Sequence, residues 1–362
     1  MKGGVALAGF LLICLVQCEA RSVEMRRYTI DLSISPEQRW RHVLSDYNSS
    51  VPLVIDYFQS MVPSKTVQLL LESIMANFDS LMGELGQELR GIAEYWGIDL
   101  GLIVGLNLSY EMRRIGGGHP NTTNTSAGLA CTSIVAQDSD GTIFHGRNLD
   151  WNLPDEIRNI SIMVDFKHKD QLLFTGVTQV GYVGVQTGLS VQGFSASLNE
   201  RSLGGYIIED GLQAVLQGSP DVSQYLRQVL TSAQDYEDAL RKLADGDIAA
   251  PVYYILAGKE PDQGAVLTRN RNNLEDLWPL NVEDNWYLLE TNYDHWKPVD
   301  PWDNRRHYGN EYMYLLGRSQ AASASGLLEV LGRWPIRNNG TAYTTIMCPI
   351  TQDIHSFNVY VK

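Results

Sequence analysis

The stretch Cys131–Asp150, CTSIVAQDSDGTIFHGRNLD, decides how the rest of the chain is read. Thr132, Ile134 and Ala136 alternate with Ser133, Val135 and Gln137, the period of two that marks a strand. Asp138-Ser-Asp-Gly141 supplies turn residues, and Thr142 to His145 resume an extended run. A hairpin brings the chain back to its starting point, so the pattern predicts Arg147 and Asp150 beside Cys131. A sulfur, a guanidinium and a carboxylate would then share one place.

The composition changes just upstream. Arg113 to Gly128, RRIGGGHPNTTNTSAG, has three consecutive glycines, a proline and two neighbouring glycosylation sequons, which predicts an exposed loop ending directly before Cys131. Such a loop suits either a processing site that makes Cys131 a new N-terminus or an ordinary linker. Further upstream the chain is helix-rich. Arg27–Ser35 alternates as a strand, Ser35 and Pro36 read as cap and first position of a helix, and Val54–Met61 and Ser64–Leu85 are helical. In the last of these, Leu70, Leu71, Ile74, Met75, Phe78, Leu81, Met82 and Leu85 form a wide apolar stripe. Burial against neighbouring helices is its usual meaning, and a surface that meets lipid is the alternative. Gly86–Leu108 continues as helix or helical turns, with Glu88, Arg90 and Glu94 expected in solvent.

Downstream, strands are expected at Ile160–Phe166, Gln171–Val177, Tyr182–Thr187 and Phe194–Leu198. Helices follow at Tyr206–Leu216, Val222–Leu230 and Asp235–Leu243, with Asp221 and Thr231 as caps. Strands return at Val252–Gly258, Gly264–Arg269 and Trp286–Thr291. A helix at Ser325–Leu331 precedes final strands at Thr341–Met347 and Phe357–Val361. Strands and helices segregated in this way point to an α+β fold of packed layers rather than a doubly wound sheet. The glycines at 176, 181, 184, 188 and 193 fit no phosphate-binding pattern and read as turns or close backbone approaches.

The chain has 362 residues, of which 44% are hydrophobic and 19% charged, enough for a sizeable core. Residues 1–20 place Lys2 before an apolar run from Val5 to Val16 and end in small or polar residues, the pattern of a secretory signal peptide. Cleavage near Ala20 would leave Cys131 and Cys348 as the remaining cysteines. They are either a disulfide pair or free thiols. Sequons at Asn48, Asn107, Asn121, Asn124, Asn159 and Asn339 agree with the secretory pathway. A net charge of -14 argues against a nucleic-acid partner and is better tolerated in an acidic compartment.

Cys131 is either a buried structural thiol or a nucleophile. As an N-terminal residue it would carry its own base, since an α-amine titrates near 8 and lies within reach of the thiol. Arg147 would lower the thiol pKa and orient a carbonyl, and Asp150 would hold the α-ammonium. His145 lacks an acid partner in the sequence and is a poor base candidate. Asn292, in Thr291–Pro298 (TNYDHWKP), offers an amide donor to an oxyanion; Arg305 follows it, and Glu200 is the last candidate. No histidines or cysteines stand at metal-ligand spacing, and no cofactor is indicated.

CTSIVAQDSDGTIFHGRNLDW at Cys131–Trp151 and ETNYDHWKP at Glu290–Pro298, followed by Arg305-Arg306, resemble the N-acylethanolamine acid amidase and acid ceramidase family of N-terminal-nucleophile cysteine amidases. VAQDS, GRNLD, FTG at Phe174–Gly176, YVGVQTG at Tyr182–Gly188 and VYYI at Val252–Ile255 bring it nearer the amidase branch. The resemblance implies a four-layer αββα sandwich, made as a precursor that cuts itself before Cys131 at acidic pH. The parts would be a signal peptide (1–20), a helix-rich α chain (21–130) and a catalytic β chain (131–362). It implies lysosomal hydrolysis of fatty-acid amides, with secretion as a second destination. The helices between Val54 and Leu85 would approach a membrane or lipid surface. Cys131 would be the nucleophile and its freed amine the base, Arg147 and Asp150 would position it, and Asn292 would donate to the oxyanion. Glu200 and Arg305 would complete the polar site. The chain departs from family members in the longer, cysteine-free GGGHPNTTNTSAGLA before Cys131, and in Asp303-Asn304 where an acidic pair is usual.

Overall fold

The computed structural model describes residues 20–59, 73–108, 130–151, 153–201, 215–301 and 303–361. The expected signal peptide, the loop before Cys131, most of the Tyr206–Leu216 helix and the first part of the Ser64–Leu85 helix lie outside them.

Two sheets stack face to face. The first runs β1(Ala20–Glu24), β14(Asp353–Val361), β13(Thr341–Cys348), β4(Ile143–Asp150), β3(Ala130–Gln137), β12(Tyr287–Glu290), antiparallel throughout. The second runs β11(Leu274–Pro279), β10(Gly264–Arg269), β9(Val252–Gly258), β8(Phe194–Glu200), β7(Thr187–Ser190), β6(Gln171–Gln179), β5(Ser161–His168), β2(Arg27–Asp31), antiparallel except where β2 joins β5. β3 and β4 pack across on β8 and β9. Outside the second sheet lie α5(Val222–Ser232) on β6 to β8 and α6(Tyr236–Asp245) on β9; outside the first lie α7(Arg305–Leu316) on β12 and α9(Ala324–Leu331) on β4 and β13, with α8(Arg318–Ala321) between them. This is the expected αββα sandwich. Because both faces of β3 are covered, its alternating sequence is buried from Cys131 to Gln137.

The N-terminal helices α1(Arg41–Ser45), α2(Val51–Gln59), α3(Phe78–Trp96) and α4(Leu100–Asn107) pack on the second sheet's side of the core. Ile74, Phe78 and Leu89 are buried and Met75, Leu81 and Leu85 partly so, and the described part of the apolar stripe packs on the core. The helix is broken at Gly83, whose φ of 49° only glycine adopts cheaply. No helix among the described residues is long and apolar enough to cross a membrane.

Several expectations are corrected. Glu88 is not solvated but fully buried. Its carboxylate accepts from Arg39 Nη1 (2.7 Å), Trp40 Nε1 (2.7 Å) and both Arg227 Nη atoms (2.8 Å each), and the Arg227 guanidinium also lies over Phe166 at 4.7 Å. Burial alone would raise its pKa, but the two guanidiniums hold it below the usual carboxylate value. Tyr182–Gln186 is irregular rather than strand: Val183 N–H goes to Asn107 Oδ1 and Val185 N–H to the Ser223 carbonyl. Gly184 passes so near α5 that a Cβ there would sit 1.9 Å from Ser223 Oγ. Ser35 stands at the cap position and Pro36 opens the helical turn, but the Ser35 side chain makes no capping hydrogen bond. Its hydroxyl instead bonds Glu37, the helix is a single 3-10 turn, and β2 ends at Asp31 rather than Ser35. Thr231 lies inside α5 with its hydroxyl on the Arg227 carbonyl, while Asp221 caps α5 and Asp235 caps α6. Strands β1 and β11 and helix α7 are found where no element was expected.

Cys131 and Cys348 are both free and buried, which removes the disulfide alternative. Cys131 pairs with Leu149 near the Asp150 end of β4, next to Thr341, whereas Cys348 is the last residue of β13. Seven residue steps of about 3.3 Å each separate Thr341 from Cys348, far beyond the Cα separation a disulfide allows.

Candidate active site

The β3–β4 hairpin forms as its sequence predicts. Asp138 Oδ1 accepts from the backbone N–H groups of Asp140 and Thr142, Gly141 takes φ 91°, and the register pairs Cys131 with Leu149 and Ser133 with Arg147. A diagonal contact across the hairpin then places Arg147 Nη2 3.3 Å from Cys131 Sγ. The same guanidinium donates to the Leu198 carbonyl (2.7 Å), to Thr187 Oγ1 (2.6 Å) and to the Tyr343 hydroxyl.

The backbone of Cys131 is held on both sides. Its N–H donates to Asn292 Oδ1 (2.8 Å), and its carbonyl accepts from Arg305 Nη1 (2.7 Å). Asn292 follows β12, the neighbour of β3. Its Nδ2 donates to the Glu200 carbonyl (2.8 Å), and its Oδ1 also accepts from Arg305 Nη2 (2.9 Å). One Nδ2 hydrogen is therefore committed to the Glu200 carbonyl, and an amide carries two. Arg305 opens α7 and is clamped by Asp303, with Nε 2.8 Å from its Oδ1. Asp150 accepts from Thr341 Oγ1 and Asn338 Nδ2, both at 2.7 Å, and lies 3.4 Å from Arg305 Nη1. Burial pushes its carboxyl above the usual range, against the pull of Arg305.

Five of the six expected site residues thus converge: Cys131, Arg147, Asp150, Asn292 and Arg305. Glu200, buried at the end of β8, enters through its backbone carbonyl. The expectation that Arg147 lowers the thiol pKa holds only for its own contribution. Burial outweighs it, so the Cys131 thiol is pushed up from its ordinary value. His145 is sealed between Ser195 and Ser197 hydroxyls, each 3.0 Å away, and burial drops its pKa to about 3. It lies off the site, as the lack of an acid partner suggested. The rest of the TNYDHWKP patch is scaffolding: Asp294 pairs with Arg201 and Lys297, His295 stacks on Trp278, and Arg306 holds the loop carbonyls of Tyr293, Asp294 and Lys297. Sequence reading missed Thr187, Tyr343, Thr341 and Asn338, and marked Asp303 only as part of a departure from the family, not as the clamp on Arg305. The strand signal around Tyr343 was legible, but its pairing with β4 was not.

Residues 131–318 match the family of linear amide C–N hydrolases, choloylglycine hydrolase family. Residues 24–82 match the beta subunit of N-acylethanolamine-hydrolyzing acid amidase, a lettering opposite to that used above. The Caenorhabditis elegans N-acylethanolamine-hydrolyzing acid amidase is 36% identical over 341 residues, 94% of this chain and 93% of that protein. This chain belongs to the N-acylethanolamine acid amidase and acid ceramidase family. Mouse acid ceramidase is 31% identical over 344 residues, covering 88% of this chain and 82% of its own. The solved structure of the C. elegans amidase ortholog superposes with a TM-score of 0.56 at 38% identity, covering 61% of this chain and 93% of its own. Membership agrees with the αββα layers and with a cysteine at the start of β3.

Proposed function

We propose that this protein hydrolyses N-acylethanolamines, such as N-palmitoylethanolamine, to a free fatty acid and ethanolamine, after cutting itself before Cys131. The observation that carries this reading is the environment of Cys131, whose sulfur meets Arg147 while its own N–H and C=O are held by Asn292 and Arg305. Family membership supplies the reaction class, since the relatives are acid amidases and ceramidases that act on lipid amides. The two family matches end at 82 and begin at 131, which supports division into a signal peptide, an α chain (21–130) and a β chain (131–362).

In maturation, Cys131 Sγ attacks the Ala130 carbonyl, the C–N bond breaks as the nitrogen takes up a proton, and water cleaves the thioester. The freed amine stays on Asn292 Oδ1, within reach of the thiol. In turnover it accepts the thiol proton, and the thiolate attacks the substrate amide. The second Asn292 Nδ2 hydrogen serves the oxyanion, and collapse expels ethanolamine carrying the proton. Water then releases the fatty acid. Arg147 stabilises the thiolate; Asp150 and Arg305 orient the new N-terminus, and Glu200 steadies Asn292. A lysosomal setting fits the acidic charge and the family, and contact with a lipid surface would deliver the substrate. Acid-matured protein should turn over N-palmitoylethanolamine in preference to ceramide, assayed by fatty-acid release. Preferential turnover of ceramide would overturn the substrate assignment.

A further inference from the structure

Arg147 is the largest fully buried charge at the site, and its hydrogen bonds go to a thiol, a carbonyl and two hydroxyls. Among the described residues, no carboxylate forms an ion pair with it, and the nearby Asp150 is held instead by Thr341, Asn338 and Arg305. A buried guanidinium is ordinarily matched by a carboxylate, because desolvating it alone is costly. Here the match is made by dipoles. Thr187 Oγ1 and the Tyr343 hydroxyl receive Nη1 and share a hydrogen bond of 2.9 Å with each other, while the Arg147 guanidinium carbon lies 5.5 Å from the Tyr343 ring centroid. The topology explains why these two residues can act as a pair. Tyr343 sits on β13 beside β4, with Thr345 opposite Arg147, and Thr187 begins β7 in the facing sheet.

We infer that Tyr343, with Thr187, is a positioning residue for the amidase reaction proposed above: the two hydroxyls fix the Arg147 guanidinium against Cys131 Sγ while leaving its positive charge unneutralised. A carboxylate in their place would hold Arg147 as firmly, but its negative charge would cancel most of the field at the sulfur. Uncharged acceptors orient the group and leave the thiolate, once formed, as its counter-ion. The same charge would stabilise the sulfur during both maturation and turnover.

The test uses full-length protein matured at acidic pH, with Cys131 alkylation by iodoacetamide followed across pH by peptide mass and Cys348 as the internal reference. Tyr343→Phe keeps the ring and removes the hydroxyl. It should raise the apparent thiol pKa by about one unit and lower kcat about tenfold, with KM changed less than about twofold. Thr187→Val should do the same, and Thr187→Ser, which retains the hydroxyl, should stay near wild type. An unshifted alkylation profile in Tyr343→Phe, or a raised KM at unchanged kcat, would overturn the inference. So would failure of Tyr343→Phe to mature when Thr187→Val matures with a wild-type profile, because Tyr343 would then serve folding alone. The parent reading is tested separately by wild type: alkylation of Cys131 must abolish turnover whatever the two hydroxyls do.

Discussion

Replacing Glu88 by Gln should strongly destabilise this protein although Glu88 lies outside the site. The substitution keeps the shape and removes the negative charge between Arg39 and Arg227, leaving two desolvated guanidiniums facing each other. All four hydrogen bonds to the Glu88 carboxylate come from charged or indole donors: Arg39, Trp40 and Arg227 twice. Removing one partner of such a buried cluster costs about 3–5 kcal/mol, a fifth or more of the stability of a typical domain. For a chain of this size that corresponds to a fall in melting temperature of roughly 4–7 °C. Glu84 provides the control. It also pairs with Arg39, but its side chain is 63% exposed, so Glu84→Gln should cost under about 1 kcal/mol. Arg39, Trp40 and Glu88 fall in the proposed α chain and Arg227 in the β chain, so the cluster would also hold the halves together after cleavage. Melting curves of the uncut protein at one scan rate, followed by size-exclusion of the matured form, would measure both effects. A Glu88→Gln melting temperature within a degree or so of the Glu84→Gln control would refute the reasoning.

Glycan mapping by peptide mass should find occupancy at Asn48, Asn159 and Asn339, which are exposed, and none at Asn107. The Asn107 amide is buried, donating to Ile103 and Gly181 carbonyls and accepting from Val183 N–H, so a glycan there is incompatible with the fold. Glu290 should make the fold more stable in acid. Burial raises its pKa to about 8, so the folded state holds a proton that the unfolded chain releases above its ordinary carboxylate value. That stability is fully present below about pH 4.5 and is lost at about 1.4 kcal/mol per unit as pH rises toward 8. His145, with its pKa dropped to about 3, acts in the opposite sense as pH falls below about 6.5. Between about pH 6.5 and 8, where His145 no longer contributes, melting temperatures should therefore fall less steeply in Glu290→Gln than in wild type, and an unchanged slope would show that Glu290 is ionised in the folded protein.

The site was legible wherever its geometry is local. The turn chemistry of Asp138–Gly141 fixes the register that carries Arg147 back to Cys131, and nothing distant is needed to place them together. Glu88 was misread for the opposite reason. A single acid on an amphipathic helix reads as solvated, and its partners lie 49 and 139 residues away in sequence. Tyr343 meets Arg147 across 196 residues, through a strand pairing that no local pattern encodes. Helix α7, RRHYGNEYMYLL, has a glycine at 309 and a weak apolar stripe, so its periodicity gave no signal, although its first residue is the Arg305 already singled out. Strand β11 does alternate, half-buried against exposed, as an edge strand should, and its signal was present but passed over.

The central claim is that Cys131 works as the first residue of a new chain. N-terminal sequencing of acid-treated protein, run beside Cys131→Ala, tests it most directly. The wild type should yield a chain beginning at Cys131 together with amidase activity, and the alanine variant should remain uncut and inactive. An active protein still joined across Ala130 and Cys131, or a cut and active alanine variant, would contradict it.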